Sequence, residues 1–318
     1  YAAKSVGALL AGKLPSSLKR SGFFFTRYPP SNLMFPELLQ KAGVVTLSAH
    51  AHMYMKPESG LAQGFDSWKV VDGITFDNKT DNHVTSQKLT PLAIEMLKTV
   101  PKDKRFFMYL HYMDPHDQYI KHEEAPKFGN TARDRYDQEI FYTDLWIGKL
   151  LEWGKQQPWW NDTAIIVSAD HGEGFGEHKF HRHAFELWNM LTHVPLFVRI
   201  PGVAGRRIDV PRGHVDLAPT VLELAGVKAE HDFVGKSLVA KMYGAEQPEE
   251  RPVLLDLPAD SNNPERHALI SGNYKLLVFE GGWRKDLYDL GKDPGETTDL
   301  AQKEPEKFAE MVALWEKT

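Results

Sequence analysis

Apolar positions along this chain follow two alternating rhythms. Over 89–97, Leu89, Leu92, Ala93, Met96 and Leu97 fall at helical spacing and stop before Pro101, which predicts an amphipathic helix. Phe106-Phe107-Met108-Tyr109-Leu110 is a continuous apolar run, the pattern of a buried parallel strand. The pairing repeats downstream. Residues 136–153 carry Ile140, Phe141, Leu145, Ile147, Leu150 and Leu151 as a long helix, and Thr163-Ala164-Ile165-Ile166-Val167 reads as a buried strand. Upstream, 36–43 reads as a short helix ended by Gly43, ahead of a β-branched strand at 44–47. Residues 195–200 form another strand, and 216–225 a helix closed by Gly226. Strands alternating with helices predict an α/β domain with a mostly parallel sheet.

A smaller unit is expected from Glu249-Glu250-Arg251-Pro252 onward, giving domains of 1–248 and 249–318. Its mark is an antiparallel hairpin, 274–279 and 285–290 around a Gly281-Gly282 turn, followed by a helix over 304–315. The stretch 55–88 reads as loop-rich, and no internal repeat or low-complexity tract is present. The 318 residues are 42% hydrophobic and 25% charged, enough for a sizeable core and too apolar for disorder. A net charge of −5 argues against a broad nucleic-acid surface, and no apolar run reaches the ~18 residues of a membrane span. The absence of cysteine removes disulfides, thiolate metal sites and Cys nucleophiles. Histidine is abundant at 14, with five between His171 and His193.

Those histidines mark the candidate chemistry. Asp170-His171-Gly172-Glu173-Gly174-Phe175-Gly176-Glu177-His178 follows a predicted strand, and in open α/β sheets ligands bind beyond the carboxyl ends of strands. At a strand-to-loop turn Asp170 and His171 can both reach one divalent ion. The alternative is an Asp that starts a turn through local hydrogen bonds. His111-Tyr112-Met113-Asp114-Pro115-His116 also follows a strand, with Pro115 restricting the backbone ahead of His116. His116 suits binding an oxyanion or protonating a leaving group, whereas His111 reads as a core imidazole bonded to backbone. His181-Arg182-His183 forms a local cationic cluster. His50 and His52, two residues apart, fall on one side of an extended segment.

These blocks, together with Val194-Pro195-Leu196-Phe197-Val198-Arg199, Val215-Asp216-Leu217-Ala218-Pro219-Thr220 and Leu287-Tyr288-Asp289-Leu290-Gly291-Lys292-Asp293-Pro294-Gly295-Glu296, resemble in order and spacing the sulfatases of the alkaline phosphatase superfamily, bacterial ones most closely. The resemblance implies a doubly wound, mostly parallel sheet with a small C-terminal α+β subdomain. It implies hydrolysis of a sulfate ester, a sulfated carbohydrate or aryl sulfate, and one divalent ion, Ca or Mg, with Mn or Zn in phosphoester-cleaving relatives. By position it makes Asp170 and His171 metal ligands and His116 the histidine at the leaving group. It makes His183 the basic residue of the site, and His50, His52 and Lys4 substrate-binding. Export to the periplasm or beyond follows from the resemblance alone.

Two departures qualify it. Lys4-Ser5-Val6-Gly7-Ala8-Leu9-Leu10-Ala11-Gly12 matches the second half of the family's nucleophile motif, and counting back puts the nucleophile position at Ala2. Alanine has no lone pair to attack with, so the chain as given lacks the reacting group. Family members also carry a strand with paired acidic ligands ahead of the nucleophile, so the sequence is expected to begin inside a domain. Three readings follow: a sulfatase-like hydrolase, a phosphodiesterase or phospho-group transferase of the same superfamily, and a non-catalytic relative that binds an anionic glycan or a partner protein.

Overall fold

The structure is a computed structural model describing residues 2–22, 26–74, 85–116, 118–229, 231–245, 250–260 and 263–318. Residues 75–84 of the loop-rich stretch, and 246–249 at the expected domain boundary, lie outside the described residues. In chain order, helices α1 (Ala2–Ala11) and α2 (Phe35–Lys41) precede strands β1 (Val45–His50) and β2 (Ser67–Val70), helix α3 (Ser86–Lys98), strand β3 (Phe106–His111) and helix α4 (Ala132–Gly154). There follow β4 (Ile165–Ser168), β5 (Gly174–Phe175), β6 (His181–Arg182), α5 (Asn189–Thr192), β7 (Leu196–Arg199), α6 (Leu217–Leu224) and α7 (Val239–Met242). Strands β8 (Val253–Leu257), β9 (Arg266–Ser271), β10 (Tyr274–Phe279) and β11 (Arg284–Asp289) and helix α8 (Pro305–Trp315) come last. The chain divides into two compact units, Phe25–Thr163 and the combination of Tyr1–Phe24 with Ala164–Thr318.

In the unit 25–163, β1 lies between β2 and β3 in a parallel sheet. Leu47, Ala49 and Ala51 join Leu89, Met96 and Leu97 of α3 in its core. The run 106–110 is parallel as expected, but β3 is the edge strand and those five residues are half-buried. Helix α4 starts at a Thr131 cap: Asp134 N–H donates to Thr131 Oγ1 and Thr131 N–H donates back to Asp134. Helix α3 has no such local cap. Its first turn is held by Asp114, whose carboxylate accepts from Thr85 N–H (2.5 Å), Thr85 Oγ1 (2.9 Å) and Ser86 N–H (2.7 Å).

In the other unit, β4 pairs with β7 in antiparallel sense, Ile165 opposite Arg199. This pair departs from the parallel arrangement expected for it, and its strands are half-buried or exposed. Strands β11, β10, β9 and β8 form an antiparallel sheet in that order, of which the sequence pattern showed only the β10–β11 hairpin. Period-two alternation covers both faces: Leu276 and Val278 pack with Met311 and Phe308 of α8, while Leu277 and Phe279 pack with Leu187 and Trp188. The molecule is thus an α/β protein with a parallel sheet and a C-terminal antiparallel sheet. Among the described residues no helix is long and apolar enough to cross a membrane.

Candidate active site

Within the unit formed by 1–24 and 164–318, the chemistry gathers just beyond β4. Asp170 Oδ1 accepts the His171 N–H at 3.1 Å, and His171 Nδ1 lies 2.9 Å from Gly172 O. That carbonyl can only accept, so Nδ1 carries the proton and Nε2 presents its lone pair, 3.5 Å from Asp170 Oδ2. Burial pulls the His171 pKa down to about 4, with Asp170 opposing the shift. The imidazole is therefore neutral near pH 7, the form that ligates a metal.

Two further side chains complete this corner. The His183 ring stacks on His171 at 4.3 Å, and its Nδ1 sits 3.1 and 3.2 Å from the two carboxylate oxygens of Glu173. The Glu173 side chain is 3% exposed. A buried carboxylate against Nδ1 fixes the ring's orientation. Between β5 and Glu186 the chain bends sharply, with positive φ at His178, Lys179, Arg182, Ala184 and Phe185, a conformation such residues seldom adopt and one that gathers at functional sites.

Helix α1 meets the same corner. Ser5 Oγ donates to Asp170 O at 2.6 Å. Ala2 lies three residues earlier on that helix, hence on the same face. Lys4 is buried, ion-paired to Asp260, and also donates to Pro258 O at 3.4 Å. His214 Nε2 lies 3.1 Å from Ser168 Oγ, which itself donates to Pro195 O at 2.8 Å. Burial lowers the His214 pKa, with Asp170 again opposing. Gly172 has no room for a side chain: a Cβ there would lie 2.1 Å from Met190 O. Gly172→Ala is expected to cost ~1–3 kcal/mol in urea unfolding, as overpacking does, and an unchanged midpoint would contradict this packing.

In the unit 25–163, His50, His52, His111 and His116 lie at or just beyond the carboxyl ends of β1 and β3. His50 and His111 are register partners on the two strands. His50 is fully buried, with its ring 4.5 Å from Trp68, and burial reinforced by His111 takes its pKa down to about 3. His111 is buried as expected, but Nδ1 meets the Tyr109 hydroxyl at 3.1 Å. His52 Nδ1 accepts the Tyr54 N–H at 3.0 Å, and its ring lies 6.1 Å from that of half-buried His116. So the structure brings His52 to His116 and His50 to His111. Asp114, beyond its hold on α3, accepts the His116 N–H through its backbone carbonyl at 2.7 Å, which fixes where that imidazole starts.

Residues 2–227 match the family model for Sulfatase, and residues 176–317 match that for N-sulphoglucosamine sulphohydrolase, C-terminal. The chain belongs to the sulfatase family. Similar sulfatases include one from Formosa agariphila, 32% identical over 56% of this chain and 34% of that protein. Another is the choline-sulfatase of Rhizobium meliloti, 28% identical over 72% of this chain and 46% of that protein. The chain thus spans between a third and a half of the length of these two relatives. The fold is shared with a phosphonate monoester hydrolase from Silicibacter pomeroyi, with a TM-score of 0.78, 17% identity, 99% of this chain covered and 84% of that one.

Glu173, His214 and Asp114 were not singled out as site residues from the sequence. Glu173 had a visible signal, since it directly follows Gly172 in the Asp-His-Gly block. The other two carry none, because their partners lie 46 and 29 residues away.

Proposed function

We propose that this chain carries the site of a sulfuric ester hydrolase of the sulfatase type, built for a sulfated carbohydrate or an aryl sulfate, with Ala2 at the nucleophile position and its reacting corner at Asp170, His171, Glu173 and His183. The observation that carries the reading is the Ser5–Asp170 hydrogen bond. It holds the first turn of α1 against the Asp170 backbone, which supports Ala2 as the nucleophile position of the proposed site. The carbohydrate class is supported by the C-terminal match to an N-sulphoglucosamine sulphohydrolase family. Residues 1–248 are proposed as the catalytic domain and 249–318 as a C-terminal subdomain beside it, and export is proposed on the family resemblance.

Asp170 and His171 suit a divalent ion as a carboxylate oxygen and a neutral imidazole nitrogen on one edge. They account for two positions of its shell; no group of three or more His, Cys, Asp or Glu suited to a metal forms among the described residues. Such an ion supplies charge neutralisation on the transferring group and lowers the pKa of an attacking hydroxyl. The chain's own residues do the rest. His183, braced by Glu173, donates a charge-assisted hydrogen bond to a sulfate oxygen. On the family resemblance His116, with His52 beside it in the unit 25–163, is proposed as the proton donor to the departing alkoxide. Lys4, His50 and His52 are carried over as substrate-binding residues on the resemblance, Lys4 in its ion pair with Asp260 and His50 against Trp68.

One feature favours a phosphoester reading as the alternative: an imidazole ligand suits Mn or Zn better than Ca. Ala2 favours a binding role without turnover. The test is a panel of Ala2→Cys, Ala2→Ser and Ala2→Thr beside the unchanged chain, each assayed on an aryl sulfate, a phosphate monoester and a phosphodiester. The unchanged chain should stay at background, and at least one variant should raise aryl sulfate turnover by about 10³ or more. Phosphodiester preference would establish the alternative. Inactivity of all three on every ester would establish the binding role.

A further inference from the structure

Along β10, the alternation that sends Leu276 and Val278 to α8 sends Lys275 to the face covered by Leu187 and Trp188. There Lys275 ion-pairs with Glu296 at 2.7 Å, with side chains 0% and 1% exposed, and donates to Leu187 O at 2.6 Å. Sealing two charges from water is costly. Glu296 also holds φ at +54°, a left-handed conformation rare outside glycine. Two local costs at one residue are sustained only where the surroundings over-determine them.

The second carboxylate oxygen of Glu296 shows where that constraint leads. It accepts the N–H of Asn189, the first residue of α5, at 2.5 Å, and Asn189 Nδ2 donates to Pro294 O at 3.0 Å. From α5, Leu191 O accepts the N–H of Gly172 at 2.8 Å. Gly172 directly follows His171, and Met190 O fills the space that a Cβ at Gly172 would need. A second tether comes from the same turn: His178 stacks on Trp188 at 3.9 Å, and its Nε2 lies 2.9 Å from Gly295 O.

We propose that the buried Lys275–Glu296 pair is a positioning device for the Asp170–His171 corner, fixing the first turn of α5 so that α5 fixes the backbone at Gly172. The assignment of a metal to that corner rests on the function proposed above; the positioning itself does not.

Asn189→Pro tests it cleanly. Trp188 has φ −59° and ψ 151°, the conformation favoured before proline, and the first helical position tolerates proline. The change deletes the N–H given to Glu296, together with the bond to Pro294, and leaves the ion pair intact. With unchanged far-UV circular dichroism, the Gly172 amide should exchange hydrogen at least about tenfold faster, and Mn²⁺ affinity by calorimetry should fall about tenfold. Glu296→Gln, which keeps an oxygen for Asn189 but loses the ion pair, should show a smaller acceleration, and it decides the matter if Asn189→Pro does not fold. Unchanged Gly172 exchange in the folded variants overturns the positioning role. Faster exchange in a chain that takes up no Mn²⁺ upholds the positioning and overturns the metal assignment instead.

Discussion

Asp170→Ala is expected to abolish saturable uptake of a divalent ion, weakening affinity by more than about 100-fold in calorimetry. Loss of an outer partner alone commonly costs 10–100-fold, and Asp170 places a carboxylate oxygen 3.5 Å from His171 Nε2. The fold should survive. The bond from Ser5 is made to the Asp170 backbone carbonyl, which alanine keeps. What disappears with the side chain is the His171 N–H bond to Oδ1, worth about 1 kcal/mol. Equal ion affinity in the variant and the unchanged chain would remove Asp170 and His171 from the metal site.

The second large effect is expected at His183. His183→Ala should lower affinity for a sulfated ligand by about 10–100-fold, the scale of one or two charge-assisted hydrogen bonds. It should also destabilise the fold, because the Glu173 carboxylate is left buried with its imidazole gone. Pairing it with Glu173→Gln separates the two effects. The double variant should regain most of the stability and none of the ligand affinity. Recovery of binding in the double variant would mean that His183 serves packing and not the anion.

Much of this corner was legible in the sequence because the information is local. A β-branched run ending in Asp-His-Gly puts both proposed ligands at the end of a strand, and β4 does end at Ser168, two residues before Asp170. The pairing of Glu173 with His183 was not legible: it depends on a hairpin whose residues take left-handed conformations despite bearing side chains. Spacing also failed to sort His50 from His52. The alternation that would place them together ends at His50, the last residue of β1, and the helical turn at Met53–Met55 follows directly. The ion pair of Lys4 with Asp260 was not legible either, since the two lie 256 residues apart. The antiparallel β4–β7 pair was hidden for a similar reason, since apolar runs report burial and not direction.

Ligand discrimination tests the central claim without any requirement for turnover, which matters for a chain whose proposed nucleophile position is alanine. The unchanged protein, with Mn²⁺ present, is titrated in a calorimeter with N-sulphoglucosamine and separately with glucosamine. The sulfated sugar should bind at least about tenfold more tightly, the scale of one charge-assisted contact, and the difference should vanish in Asp170→Ala. Equal affinity for the two sugars, or a preference that persists in Asp170→Ala, would contradict a sulfate-ester site at Asp170 and His171.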